Sequence, residues 1–185
     1  TAAISYSWMS ELYSRAPYVS DRDRVQLDTE GAIQYGMYYW DDNYPDSHVF
    51  AEGECLRKTF DPDFMLYHTM AVDEWGHMKG ADSAEYANAV AAVGHLIAAR
   101  MPEWLQTGYQ VVVTADHGMN NLGIHVGTEH AQREVALYIF SDKVENGRFE
   151  ENYISQLNVA PLVCKLMGVP ATEGMKQELE IVFSK

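Results

Sequence analysis

Apolar residues in this chain fall into two patterns, short continuous runs and longer stretches spaced by three and four, and the two patterns alternate. Ala2-Ala3-Ile4-Ser5-Tyr6 predicts a first strand, followed by a short helix over residues 8–14 and a polar, irregular stretch over 16–28. Residues 35–45 are dense in aromatics (Tyr35, Tyr38, Tyr39, Trp40, Tyr44). A helix is expected to start at Asp46 or Ser47, either a good cap, and to end near Phe60, where Asp61-Pro62-Asp63 stops it. The nine-residue apolar run at 64–72 suits a strand covered on both faces, with Asp73 just past its end. From Asp82 to Met101, Ala84, Ala87, Ala91, Gly94, Ile97, Ala98 and Met101 trace one helical face, and Asp82 with Glu85 gives a start signal related to the capping box. Tyr109 to Ala115 and Val135 to Ser141 predict two further strands. A last helix is capped by Asn158, tolerates Pro161 in its first turn and stops at Gly168-Val169-Pro170.

Strands separated by helices of this length imply right-handed crossovers and an α/β domain of three layers, with a mostly parallel sheet and helices on both faces. One domain over residues 1–185 is expected. The chain opens without an initiating methionine and without the charged and apolar regions of a signal peptide, so it reads as the C-terminal portion of a larger catalytic domain. No run is long enough to cross a bilayer.

Composition narrows the partners. With 27 acidic against 13 basic residues the formal net charge is -14, which excludes a nucleic-acid polymer as partner unless a cation intervenes. Cys55 and Cys164 give no disulfide framework and read as free, partly buried thiols. Oligomeric state is not legible.

Asp116-His117 stands at the end of the 109–115 run, where open α/β sheets place their chemistry. Adjacent strand residues point to opposite faces, so both side chains reach one cavity only if the chain turns, and Gly118 is expected to supply the turn. Asp73 and His77 are spaced as neighbours on one helical turn, with Gly76 expected to permit close backbone approach to whatever His77 binds. Carboxylate and neutral imidazole together suit zinc and related divalent ions. His125, flanked by Gly123 and Gly127, sits in a tight loop and is a further candidate. His130, among charged residues, fits a solvated surface better and is the fallback. His68 and His95 fit ordinary structural roles, and His48 is unassigned. Each pair alone is a weak signal, since a turn-capping Asp beside a surface His is common; their joint occurrence after two strand-like runs is what counts.

Asp73 through Gly76-His77, then Val112-Val113-Thr114-Ala115-Asp116-His117-Gly118-Met119, Gly123-Ile124-His125, the strand at Ala136-Leu137-Tyr138-Ile139, and Asn158 through Pro170 occur in an order that resembles the type I phosphodiesterase/nucleotide pyrophosphatase family of the alkaline phosphatase superfamily. The resemblance implies an alkaline phosphatase-like fold and two divalent metal ions, zinc first, with manganese suited to the same donors. Asp73, His77 and His125 would hold one; Asp116 and His117 would hold the other. Val126 departs from the Gly that often follows this histidine in the family. The family's Thr or Ser nucleophile is expected upstream of Thr1, so no catalytic residue is assigned here and the isolated chain is expected to be nearly inactive. The implied activity is hydrolysis of phosphodiester or pyrophosphate bonds in a small phosphate ester, of nucleotide type. Phosphonate or phosphomonoester hydrolysis, phosphoethanolamine transfer and an inactive metal-binding domain are the alternatives. Tyr38, Tyr39, Trp40 and Tyr44 could stack a nucleobase, although packing within their own domain is the favoured reading.

Overall fold

The computed structural model describes residues 1–147, 153–175, 179 and 181–184. Two compact units divide the chain, one of Thr1–Ala99 with His117–Glu134, the other of Arg100–Asp116 with Val135–Lys185. The class is α/β with a mostly parallel main sheet, as the alternation of patterns predicts.

In the first unit the strands β1 (Ala2–Tyr6), β2 (Val25–Leu27), β3 (Tyr35–Tyr39) and β4 (Met65–Tyr67) form one sheet in the order β2-β3-β1-β4. β1 runs parallel to both β3 and β4, and the edge strand β2 is antiparallel to β3. The first four residues of β1 after Thr1 are all buried, which explains why this run lacks a polar alternation. Ile4, Tyr39 and Val49 form the core, with Tyr6, Met37, Tyr44, Met65, Tyr67 and Met70 packed around them. Val49 comes from α3 (Asp46–Phe60), whose buried residues Asp46, Val49, Phe50, Gly53, Leu56 and Arg57 trace one helical face. The helix ends where the sequence predicts, with Asp61 in the left-handed region at φ 46°.

Some elements differ from expectation. The stretch over 16–28 contains a short helix, α2 (Ser20–Asp23), as well as β2; it follows α1 (Trp8–Tyr13). The nine-residue apolar run yields only the three residues of β4, because Ala71 and Val72 already belong to α4 (Ala71–Lys79). Asp73 therefore lies in the first turn of a helix and not at a strand end. The following helix, α5 (Ala84–Gln106), begins later than Asp82 and continues through Pro102 beyond Met101. Its start is served by Ser83, whose Oγ accepts from the Tyr86 N–H over 3.1 Å, in place of the Asp82–Glu85 signal.

In the second unit β5 (Val111–Val113) pairs antiparallel with β6 (Tyr138–Phe140) in a two-stranded sheet, whereas the sequence pattern placed these runs in one parallel sheet. Leu162, Leu166 and Ile181 form its core, joined by Val112, Leu137, Ile139, Val144, Ile154, Leu179 and Phe183. Leu162 and Leu166 belong to α7 (Val159–Met167), which ends at Gly168 with φ 74°, as its sequence stop predicts. Asn158 does not cap α7 with its side chain; Ser155 caps the preceding 3₁₀ turn, Gln156–Asn158, by accepting from the Leu157 N–H. Cys55 is exposed and Cys164 half-buried, both as free thiols.

Candidate metal site

The site begins on α4. One helical turn separates Asp73 from His77, and the spacing does what the sequence predicts: His77 Nε2 lies 3.4 Å from Asp73 Oδ2. The amino end of α4 is held by a residue from another helix, since Asp46 Oδ1 faces the N–H groups of Met70 and Ala71 at 3.4 and 3.5 Å. Burial pushes the Asp46 carboxyl above its ordinary range, and the Ala71 and Met70 amides counter this in part. The sequence offers Asp46 or Ser47 as the cap of α3, where Pro45 in fact holds that position.

His125 reaches the same place from an irregular loop, its Nε2 3.9 Å from Asp73 Oδ1. Donor atoms of Asp73, His77 and His125 all lie within 4.8 Å of one another. His117 joins them, with Nε2 3.8 Å from Asp73 Oδ1. Its ring lies flat against that of His125, centroids 3.8 Å apart at 15°, while the His77 ring meets His125 edge-on at 4.9 Å and 61°.

Backbone carbonyls fix two of these rings. His77 Nδ1 donates to the Gly123 carbonyl over 2.8 Å, and His117 Nδ1 donates to the Gly118 carbonyl over 3.0 Å. A carbonyl can only accept, so each ring carries a proton on Nδ1, with Nε2 on the side of Asp73. Asp73 Oδ1, meanwhile, is buried and accepts no hydrogen bond. A buried carboxylate oxygen without a donor is a costly arrangement unless positive charge joins it. The donor set fits a divalent cation: ligand atoms around a tetrahedral zinc sit about 3.3 Å apart given bonds of about 2.0 Å, close to the 3.4 Å between His77 Nε2 and Asp73 Oδ2.

Glycines here serve tight packing more than turning. Gly118 has no positive φ, but a Cβ on it would meet the Ala131 carbonyl oxygen at 2.1 Å. At Gly76 the close neighbour is Met119, not a ligand of His77. Gly123 is the position that needs left-handed backbone, at φ +71°.

Asp116 is the remaining sequence candidate. It is exposed and belongs to the second unit, where its carbonyl accepts from Gln156 Nε2 over 3.1 Å. His130 is 89% exposed in its side chain and paired with Glu134, so the fallback ligand is engaged elsewhere. His68 sits against the Tyr39 hydroxyl and the Trp8 ring, His48 packs edge-on to Tyr44, and His95 is exposed on α5. Tyr38 and Tyr39 are core residues and Tyr44 stacks on Tyr39 at 5.0 Å, so the aromatic segment is packing, with Trp40 alone half-exposed.

Residues 41–171, well over half of the chain, match the family described as the Metalloenzyme superfamily. The chain belongs to this superfamily. It is thereby a member of the alkaline phosphatase superfamily, an enzymatic group that handles phosphoryl groups with divalent metal ions. The chain is 27% identical over 157 residues to the catalytic subunit of GPI ethanolamine phosphate transferase 3 from Mus musculus, covering 80% of the chain and 14% of that protein. To GPI ethanolamine phosphate transferase 2 of Schizosaccharomyces pombe it is 25% identical over 132 residues, 60% of the chain and 17% of the relative. To 2,3-bisphosphoglycerate-independent phosphoglycerate mutase of Wolinella succinogenes it is 31% identical over 121 residues, 63% of the chain and 23% of the relative. The chain thus spans about one-seventh of the length of the first of these relatives. No solved structure matches it. Among the described residues no helix is long and apolar enough to cross a membrane.

Proposed function

We propose that this chain supplies a metal-binding part of an enzyme that transfers or hydrolyses phosphate esters, with Asp73, His77 and His125 holding one divalent cation. The observation that carries the reading is the buried, unpartnered Asp73 Oδ1 with imidazole Nε2 atoms turned toward it. Zinc is the proposed ion. A bound divalent cation neutralises phosphoryl oxygens and lowers the pKa of a coordinated hydroxyl or water. The chain's own part is orientation: α4 sets Asp73 and His77, and the carbonyls of Gly123 and Gly118 hold the rings of His77 and His117 with Nδ1 protonated, the form in which Nε2 is the ligating atom. A second cation at Asp116 and His117 is proposed from the sequence motif. The nucleophile is a Thr or Ser hydroxyl, and none in this chain is assigned that role.

The order of motifs supports phosphodiester or pyrophosphate cleavage in nucleotide-type substrates. Similarity to ethanolamine phosphate transferases favours a second reading, transfer of a phosphoethanolamine group to an alcohol. Both use the same ligand set and differ in the acceptor, water or alcohol.

Zinc titration of the chain by calorimetry, with elemental analysis after dialysis, tests the common core. Saturable binding that is lost in Asp73→Ala and in His125→Ala is expected. Undiminished binding in both variants would sink the reading.

A further inference from the structure

The loop that presents His125 has no strand or helix to hold it between Asn120 and Glu129, and its apolar side chains do not anchor it either. Leu122, Ile124 and Val126 are all exposed. Its backbone polar groups instead find side-chain partners, and these come from two buried amides, Asn120 and Gln132. Asn120 Oδ1 accepts from the N–H groups of Leu122 and Ile124 at 3.1 and 2.9 Å. Gln132 Nε2 donates to the carbonyls of Ile124 and Val126 at 3.2 and 3.4 Å, so the residues on either side of His125 are tied to one side chain.

The two amides are joined to each other through Glu129. Asn120 Nδ2 donates to Glu129 Oε2 over 3.2 Å, and Gln132 Oε1 accepts from the Glu129 N–H over 3.2 Å. Gln132 itself is placed by α6 (His130–Arg133), where it closes a capping box with Glu129. Both Asn120 side-chain polar atoms and both Gln132 side-chain polar atoms are therefore engaged with this loop or with the exposed Glu129, a polar network built on two buried amides, of the kind that specifies one conformation.

We propose that Asn120, Glu129 and Gln132 are positioning residues for His125, a polar strap that sets the loop before any cation arrives. The proposal rests on the reading of Asp73, His77 and His125 as ligands, and its test separates the two. Amide hydrogen exchange on the metal-free chain reads the strap directly: the Leu122 and Ile124 amides are protected in the wild type and lose protection in Asn120→Leu, and the Glu129 amide loses it in Gln132→Met. Zinc affinity, measured by competition with a chelator, reads its consequence: Gln132→Met and Asn120→Asp each bind about 10- to 100-fold more weakly, the range for loss of a group that orients a ligand.

Rescue distinguishes positioning from mere stability. Asn120→Asp keeps the acceptor for Leu122 and Ile124 but sets a carboxylate against Glu129, and adding Glu129→Gln restores the hydrogen bond in the reverse direction and with it most of the affinity. Free exchange of the Leu122 and Ile124 amides in the wild type overturns the strap, as does wild-type affinity in folded Gln132→Met and Asn120→Asp chains. If the wild type binds no zinc, the metal reading fails, and the exchange result alone decides whether the strap exists.

Discussion

His77 Nδ1 donates to the carbonyl of Gly123 over 2.8 Å, and this bond orients a ring on α4 while it pins the loop that carries His125. Sequence spacing brought His77 to Asp73; the link to Gly123, 46 residues further on, is what makes the two segments one site.

Gly123→Ala breaks that link from the backbone side. The residue has φ +71°, and a Cβ there would approach the His77 and Gly76 carbonyl oxygens at 2.7 and 2.9 Å, neither of which is a flexible side-chain end. The expected cost is about 1–3 kcal/mol of stability, read by urea denaturation, together with a marked loss of zinc affinity. A variant as stable as the wild type would show that the loop adapts freely.

Asp73→Asn separates folding from metal binding. In the metal-free chain the buried Oδ1 lacks a donor, and an amide nitrogen in its place can donate to a neighbouring Nε2. Thermal melts without metal should show the variant equal to the wild type or up to about 1 kcal/mol more stable, while calorimetry shows zinc binding lost. Destabilisation of the metal-free protein would mean that the carboxylate has a structural partner.

Asp46 carries a pH dependence with a definite sign. Its folded-state carboxyl is held above the ordinary value, chiefly by burial, so the folded chain binds this proton more tightly than the unfolded one. Ionised Asp46 therefore costs stability at neutral pH, and that cost is relieved as pH falls through the raised folded value toward the unfolded one. Asp46→Asn keeps an acceptor for Met70 and Ala71 and should be at least as stable as the wild type at pH 7, the advantage shrinking on acidification. Asp46→Ala removes the acceptor and should cost about 1 kcal/mol. Chemical denaturation of the three proteins across pH 4–7, about the carboxylate range, checks both.

Two aromatic neighbours should respond in opposite ways. Tyr39 is 1% exposed and its hydroxyl donates to the His68 carbonyl over 2.7 Å, so Tyr39→Phe leaves that carbonyl without this donor and should cost about 1–2 kcal/mol. Trp40 is 51% exposed, and Trp40→Ala should change stability by no more than about 0.5 kcal/mol. Equal losses in thermal melts would contradict the division between core and surface in this segment.

Elements whose signal is local were legible in the sequence. β1 follows from Ala2-Ala3-Ile4-Ser5-Tyr6, a run apolar at four of its five positions, and α3 follows from a start at Asp46 or Ser47 and an Asp61-Pro62 stop. Asp73 and His77 come together through helical spacing alone. Where a distant contact decides, the sequence misled: Ala71 and Val72 look like a continuation of β4, yet they open α4 beside the Asp46 carboxylate, 25 residues away from Ala71. β2 is a three-residue edge strand, too short to signal itself and with Val25 and Leu27 exposed, held by pairing with β3. The boundary between the two compact units falls between Asp116 and His117, and His117 Nε2 lies 3.8 Å from Asp73 Oδ1, a contact that no dipeptide can announce. Asn120 and Gln132 carry no signal at all, since buried amides resemble surface amides in sequence.

The parallel course of β1, β3 and β4 has an electrical consequence. Their carboxyl ends open on one edge of the sheet, where the chain past β3 continues into exposed Asp41 and Asp42 and the chain past β4 leads to Asp73. Carboxylates from both connections thus gather at this rim. Under the proposed reading, an anionic ligand is attracted to this edge only with a cation held there, so positive charge docks first.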